Sequence, residues 1–481
     1  MSRTRFATLL RRVNAAETAL LQAHNLTLLL VFAAVLLRIA FAVPAWGFQA
    51  TSEPGWLAEA HRRAFGYGEA IPASSADAGA KSLFIDALTI LLKVGAIAGI
   101  ESGIKLVALA NVTLALISGF GVYAATRLAR LLSGERAEII AAVLASFFPG
   151  SVLYSVRCEP ATVAATFVVV SVWLAREGGA SWRQVASGVV GGLAILLRWD
   201  ASLLVVPSLV IGPSSVRSRR TLRAVSAVGT TILLGGLLDL LEGGQPFAQL
   251  RAYLGSISLA QASSQYHFDN YFHLLWDTTH WPLLVIAVGA FISLRRWGPL
   301  SLPVLLFLVA HCYEERKAFA SILPCVPLLL SLAAAGLSSL IEGTLRPNAW
   351  VVVLTVPLMA SMTRRTLTLR PHDLEIVDRN PQSITGAPFR GLEETLSCVG
   401  GRSNVCGVAL VGIDKPSGDA CAYLHKNIPL IQIPVAPIDE PIENVNYIVT
   451  ARTTPPPRGF QFASSFGDFV AFARQGACTS R

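Results

Sequence analysis

Apolar runs of membrane-spanning length recur through the chain and constrain its fold more than any motif does. A span takes about 20 predominantly apolar residues. The runs fall at residues 26–44, 105–126, 137–155, 160–176, 184–198, 200–213, 222–241, 281–294, 299–311, 318–341 and 348–361. They predict an all-α polytopic membrane protein with about 11 transmembrane helices, several of them short. Composition agrees. Of 481 residues, 53% are hydrophobic and 14% charged, with a mean hydropathy of +0.55, which is more apolar surface than a soluble fold of this length buries.

Basic residues set the orientation. The segment LFIDALTILLKVGAIAGI at 83–100 reads either as a twelfth span or as a helix lying in the membrane surface. In the second case the gaps holding Arg127, Arg130 and Arg136, Arg176 and Arg183, RSRRTLR at 217–223, Arg295 and Arg296, and Arg346 all share the side of the basic N-terminus. That satisfies the positive-inside rule. The opposite, extracytoplasmic side receives the first loop (45–104), RCEP at 157–160, the 242–280 loop, HCYEERK at 311–317 and everything after about residue 362. The net charge of +9 is spread over short loops rather than gathered on one face, which argues against nucleic acid as a partner. The basic leader and first apolar run resemble a cleaved signal peptide. Because the leader is long, Arg38 interrupts the run and many spans follow, a retained signal anchor in a plasma (inner) membrane is expected.

After residue 361 the character changes. Short strand-like runs such as VCGVALVGI and NYIVTA are broken by Pro and Gly, predicting a small extracytoplasmic α/β domain over 362–481 behind a transmembrane domain over 1–361. Cys398, Cys406, Cys421 and Cys478 all lie in that segment, and an oxidising compartment would allow two disulfides with three pairings. CxxC spacing is missing, so no metal is expected there.

Polar clusters at the ends of spans, gathered on one side, suit a lipid-linked substrate whose tail stays in the bilayer while its head meets side chains at the interface. AEAHRRAFGYG, GAKS at 79–82, LAILLRWDASLLVVP at 193–207, LLDLLEGGQPF at 237–247 and HCYEERKAFASILPCVPLLL at 311–330 carry the chemistry-bearing residues. Together they resemble the class C membrane glycosyltransferases. More narrowly, they look like the polyprenyl- and dolichyl-phosphate-mannose-dependent mannosyltransferases of the GPI-anchor and asparagine-linked-glycan pathways and their bacterial relatives. The likeness runs in order over about residues 26–345 and rests on combined, degenerate motifs. CGVALVGI and AYLHKNIPL add a weaker likeness to the tails of bacterial members.

The resemblance implies an inverting hexosyl transfer, mannosyl by preference, from a polyprenyl-phosphate-linked donor to a lipid-linked, glycan or glycolipid acceptor. A first-loop carboxylate accepts the proton of the acceptor hydroxyl as the polyprenyl phosphate leaves. The donor lipid is itself the substrate, and neither metal nor cofactor is expected. Aligned on Phe65-Gly66-Tyr67-Gly68, the family's Asp-Glu pair falls on Thr51 and Ser52, neither of which is a base at neutral pH. Glu53 follows at once and is the expected catalytic base, with Glu59 and Asp77 as poorer substitutes; it could equally cap the helix that begins there. The missing pair leaves a second function class open: a non-catalytic relative that binds lipid-linked substrate or scaffolds a partner membrane protein.

Arg316, with His311 and Glu315, stands where the family carries a loop near the donor phosphate, and a guanidinium fork suits a leaving phosphate. An Arg–Glu pair joining two helix ends is the alternative. Arg198 with Asp200, and Arg157 with Glu159, could contact the donor head group, but an ion pair at a helix end is the simpler expectation for each. His61, Arg62 and Arg63 either anchor a short helix at the headgroup layer or touch substrate. Asp239, at the outer end of its span, resembles a family aspartate. HFDNYFHLLWDTTHWP at 267–282 reads as an aromatic interfacial belt rather than a His–carboxylate metal site. No Walker loop, dinucleotide fingerprint or nucleophile elbow is present.

Overall fold

The structure is a computed structural model that describes residues 23–42, 56–66, 82–100, 102–177, 180–210, 217–241, 247, 250, 269–312, 317–369, 375–376, 391–413, 423–425, 428–433, 445–454 and 458–474. Helices dominate: α1 (Ala23–Phe41), α2 (Trp56–Phe65), α3 (Ser82–Ile97), α4 (Gly103–Phe147), α5 (Pro149–Tyr154), α6 (Pro160–Glu177), α7 (Ser181–Leu197), α8 (Ser202–Val210) and α9 (Arg217–Leu241). After them come α10 (Asp269–Thr279), α11 (Pro282–His311), α12 (Phe319–Ile322), α13 (Val326–Glu342), α14 (Pro347–Thr368) and α15 (Leu392–Gly400). Each apolar run of the sequence falls on helix. Among the described residues five helical stretches are long and apolar enough to cross a membrane: Gly103–Phe147, Pro160–Glu177, Arg219–Leu241, Pro282–His311 and Phe319–Glu342. They mark an integral membrane protein.

Two of the long helices are hairpins. In α4 the helical dihedrals break at Ser133 and Gly134, where Gly134 takes φ 78° with open space beside it, a conformation that favours glycine. Arg38 then hydrogen-bonds both Ser118 Oγ (3.1 Å) and the Ser146 carbonyl (2.9 Å), residues that a straight helix would hold roughly 40 Å apart. In α11 the break is at Trp297 (φ −123°, ψ 37°). There Ser293 and Ser301 hydroxyls meet at 3.2 Å instead of roughly 12 Å.

One end of the bundle collects the basic turns. Glu138, fully buried, sits 3.2 Å from Arg130 and 3.5 Å from Arg127 across the α4 hairpin. Arg136 donates to Asn348 at the start of α14, the Ser338 hydroxyl on α13 donates to the Ser133 carbonyl, and Arg296 donates to Ser339. Helix contacts are close where small residues face each other. A Cβ on Gly336 of α13 would stand 2.0 Å from the Gly289 carbonyl of α11, and one on Gly289 would stand 2.3 Å from the Ala333 carbonyl. Gly336→Val is therefore expected to wedge the two helices apart and destabilise the fold by about 1–3 kcal/mol or more. Thermal unfolding of the purified protein in detergent measures this, and an unchanged midpoint would refute the close packing.

The C-terminal segment is a small mixed sheet. Two-residue strands β1 (Lys317–Ala318) and β2 (Glu375–Ile376) pair antiparallel, tying the segment after α11 to the chain beyond α14. Then β3 (Val408–Val411), β4 (Leu430–Ile433), β5 (Tyr447–Ala451), β6 (Gln461–Phe466) and β7 (Phe469–Ala473) form a sheet of order β4-β3-β5-β7-β6. β3 runs parallel to both neighbours, while β7 is antiparallel to β5 and β6. One face packs under α15 through Leu396 and Val399. The same core takes in Trp56, Leu57 and Ala60 of α2 and Phe84, Ile85, Leu88 and Leu92 of α3. The 83–100 segment is thus α3, laid against α2 and sharing a hydrophobic core with the sheet.

The expected pair of disulfides is corrected. Cys398 on α15 is a free thiol, while Cys406 is disulfide-bonded. Cys421 and Cys478 lie outside the described residues.

Candidate active site

Three sequence motifs far apart in the chain meet at the end of the bundle away from the basic turns. α7 stops at Leu197 because Arg198 is extended (φ −151°, ψ 111°), and the chain re-enters through a 3-10 turn at Trp199–Ala201. The turn aims the Asp200 carboxylate inward, where it is 3% exposed. Arg198 grips both of its oxygens, Nη2 to Oδ2 at 2.5 Å and Nε to Oδ1 at 3.1 Å, and donates from Nη1 to the Ala320 carbonyl at 2.8 Å. His311, the last residue of α11, approaches the same carboxylate with Nε2 2.9 Å from Oδ2, while its Nδ1 lies 2.9 Å from the Phe307 carbonyl. Acceptors face both ring nitrogens, an arrangement that the doubly protonated imidazolium satisfies. The Arg198–Asp200 ion pair and His311 thus form one hydrogen-bonded cluster in a buried setting.

An aromatic wall continues the cluster. Phe319, next to Ala320, stacks on Tyr154 with centroids 5.6 Å apart and meets Phe148 at 5.9 Å. Gly150 lets the ring in, since a Cβ there would stand 2.2 Å from it. Arg157 folds back over the Tyr154 ring, its guanidinium carbon 4.5 Å from the centroid. Beyond it the chain turns sharply, Glu159 N–H donating to the Arg157 carbonyl at 2.7 Å. Glu159 is 7% exposed, and its Oε2 has no hydrogen-bond partner among the described residues. Of the two pairs expected as helix-end ion pairs, Arg198–Asp200 is one. Arg157–Glu159 is not, because the Arg157 side chain turns back onto the tyrosine face.

His61 is 1% exposed. The helical phase that buries Trp56, Leu57 and Ala60 also turns His61 inward. Its Nε2 is 2.7 Å from His425 Nδ1, and Phe65 packs on both rings at 4.8 and 4.9 Å. Burial pushes the His425 imidazole below its ordinary pKa. Arg62 and Arg63 do not reach outward freely either. Both bind Glu59, at 2.6 and 3.0 Å, and Arg63 also binds Asp86 of α3 at 2.7 Å. Burial alone would raise the Glu59 carboxyl, but the two arginines hold it below the usual range, which suits a structural pair rather than a proton acceptor.

Asp239 is half-buried one turn beyond Gly235, whose backbone abuts Leu196 near the end of α7. It therefore lies toward the same end of the bundle as Arg198. Glu53, Glu315 and Arg316 lie outside the described residues, as does Asp77. In the aromatic segment, Phe272 and Trp276 of α10 stack at 6.2 Å and Trp281 is 41% exposed. No group of three or more His, Cys, Asp or Glu that could hold a metal occurs among the described residues. Sequence reasoning missed the contact that joins His311 to Asp200 and the one that joins His61 to His425. Neither has a local signal, since the partners lie 111 and 364 residues apart.

No family model matches the chain, and no curated relative matches it. Solved structures do. ArnT from Cupriavidus metallidurans in its apo state superposes with a TM-score of 0.56 at 13% identity, over 94% of this chain and 98% of that one. The apo oligosaccharyltransferase of Archaeoglobus fulgidus superposes with a TM-score of 0.52 at 11% identity, over 89% of this chain and 69% of that one. By this likeness the chain has the fold of the class C membrane glycosyltransferases.

Proposed function

We propose that the protein is an integral membrane glycosyltransferase that moves a hexose, mannose by preference, from a polyprenyl-phosphate carrier to a lipid-linked or glycan acceptor. In this proposal the bundle crosses the membrane about eleven times, with residues 1–361 as the transmembrane domain and 362–481 as an extracytoplasmic domain. The basic turns face the cytoplasm of a plasma (inner) membrane. Support comes above all from the buried Arg198–Asp200–His311 cluster at one end of a class C fold. ArnT, which shares the fold, has also been solved with undecaprenyl phosphate bound.

Glu53 is the proposed base. It accepts the acceptor hydroxyl's proton as that oxygen bonds to the sugar's anomeric carbon, and the bond to the polyprenyl phosphate breaks with inversion. Arg316 and Arg157 are the proposed phosphate ligands, stabilising charge as it develops on the leaving group. Arg198 and His311 act through Asp200, fixing the α7 turn against α11 and α12. Glu315 and Asp239 complete the polar rim, and His61 positions the first loop against the outer domain.

The replacement of the family's acidic pair by Thr51 and Ser52 favours one other reading, a non-catalytic relative that holds lipid-linked substrate for a partner enzyme. Glu159, whose buried Oε2 has no hydrogen-bond partner among the described residues, is the second carboxylate to test. Sugar transfer from polyprenyl-phosphate mannose into a membrane fraction should be measured for wild type, Glu53→Gln and Glu159→Gln. Loss of at least about a hundredfold in Glu53→Gln alone is the expected result. Full activity in that variant would remove Glu53 as the base, and inactive wild type beside an active related enzyme would favour the non-catalytic reading.

A further inference from the structure

α14 carries Arg364 and Arg365 at the end opposite Arg346. From Pro347 to Arg364 the helix rises roughly 25 Å, close to the roughly 30 Å of a bilayer's hydrocarbon core. In the topology proposed above, where α14 is a span, one of its ends lies at one headgroup layer and Arg364 stands at the other. A second marker fixes the same level. Arg365 donates from Nε to the Asp277 carbonyl at 2.8 Å, bringing this end of α14 beside α10. There Phe272 and Trp276 stack and Trp281 is exposed, and aromatic side chains of this kind collect at the membrane–water interface.

The two arginines differ. Arg365 is engaged with α10, whereas Arg364 is exposed and has no hydrogen-bond or ion-pair partner among the described residues. Beside it runs an open, almost wholly apolar groove of about 680 Å³ lined by Phe147, Met359, Ala360 and Leu367 together with Thr363, Arg364 and Thr368. Met359, Ala360, Thr363, Arg364 and Leu367 recur at helical spacing, so the groove follows the axis of α14. An apolar trough that ends in an unopposed cation at headgroup depth matches an acyl chain carrying a phosphate. Arg meets phosphate through a planar fork of donors. The groove lies outside the aromatic wall of the candidate site: Phe147 lines it, while the next residue, Phe148, turns to Phe319.

We infer that this groove binds an anionic membrane phospholipid, its chain along α14 and its phosphate on Arg364. The lipid is a resident of the fold and not the sugar donor, so the inference rests on the proposed membrane topology and stands apart from the transfer reaction.

The test uses full-length protein, stripped of lipid in neutral detergent, and titrated separately with phosphatidylglycerol, with phosphatidylcholine of the same chains and with undecaprenyl phosphate. Bound lipid is counted by native mass spectrometry and stability by thermal unfolding. Phosphatidylglycerol should bind and raise the unfolding temperature of wild type while phosphatidylcholine does not. Arg364→Gln should weaken that binding about tenfold or more, and Ala360→Trp, which fills the trough, should do the same, whereas Arg364→Lys retains part of it. Equal binding of the two phospholipids by wild type overturns the inference without recourse to any variant. So does unchanged phosphatidylglycerol binding in Arg364→Gln and Ala360→Trp. Arg364-dependent binding of undecaprenyl phosphate in place of phosphatidylglycerol would overturn it in favour of a substrate lipid.

Discussion

Asp200→Ala is expected to destabilise the protein by about 3–5 kcal/mol and to lower sugar transfer at least about a hundredfold. The carboxylate is 3% exposed and, among the described residues, is the acid that joins Arg198 to His311. Removing it leaves a guanidinium and an imidazolium facing each other in a space with little water, which costs far more than the ion pair itself contributes. The consequence for activity runs through geometry. Asp200 joins the end of α7 to the end of α11, and Arg198 joins both to α12 through the Ala320 carbonyl. Phe319 beside it sets the Tyr154 and Arg157 side. A shift of about 1 Å in such a frame suffices for a loss of that size. Asp200→Asn separates charge from shape: it retains one acceptor oxygen and should recover part of the stability but little of the activity. Chemical or thermal unfolding in detergent, alongside the transfer assay, measures both. Wild-type stability and transfer in Asp200→Ala would show that the cluster is neither a structural nor a functional centre.

Hydropathy made the helical bundle legible, because a bilayer forces every backbone polar group into internal hydrogen bonds and so writes span length into the sequence. Both reversals also left a trace. The α4 hairpin falls in a short basic gap at Gly134, and the α11 hairpin falls at Trp297 and Gly298, between apolar runs that are each too short to be one long helix. The runs VCGVALVGI and NYIVTA became β3 and β5, adjacent in the sheet, since β-rich apolar runs bounded by turns keep their meaning in any context. Arg198 and Asp200 could be paired from sequence because they are near neighbours. Arg157 and Glu159 have the same spacing and do not pair, because a tyrosine face one turn back competes for the guanidinium. What was not legible is tertiary. The first-loop helices and the C-terminal sheet read as separate units, yet Trp56 and Leu57 share a core with Val408, Tyr447 and Phe469. Amphipathic pattern tells that a face is buried and not against what.

Arg38→Met is expected to destabilise the bundle by about 3 kcal/mol, even though it removes a charge from inside an apolar helix. Arg38 is fully buried, and the sequence read it as an interruption in the first apolar run. Its position answers a defect elsewhere. α4 ends at Phe147, and Pro149 has no N–H to give to the Ala145 carbonyl four residues earlier. The last carbonyls of a helix otherwise need partners from outside it. Arg38 Nη2 donates to Ala145 O at 3.1 Å and Nη1 to Ser146 O at 2.9 Å, while Nε holds Ser118 Oγ at 3.1 Å on the other arm of the hairpin. One guanidinium thus caps the end of α4 and clamps both its arms to α1. A cation at the negative end of a helix is favourable as well as satisfied. Methionine fills the same volume but leaves two buried carbonyls without donors, each worth about 1–3 kcal/mol, offset in part by the charge no longer desolvated. Arg38→Lys is the discriminating control. Its single ammonium can serve one carbonyl and cannot span the fork, so it should fall between methionine and wild type. The order arginine, lysine, methionine in unfolding temperature is the expected outcome. A methionine variant as stable as wild type would mean that water or a backbone shift satisfies those carbonyls, and that Arg38 is carried for some other purpose.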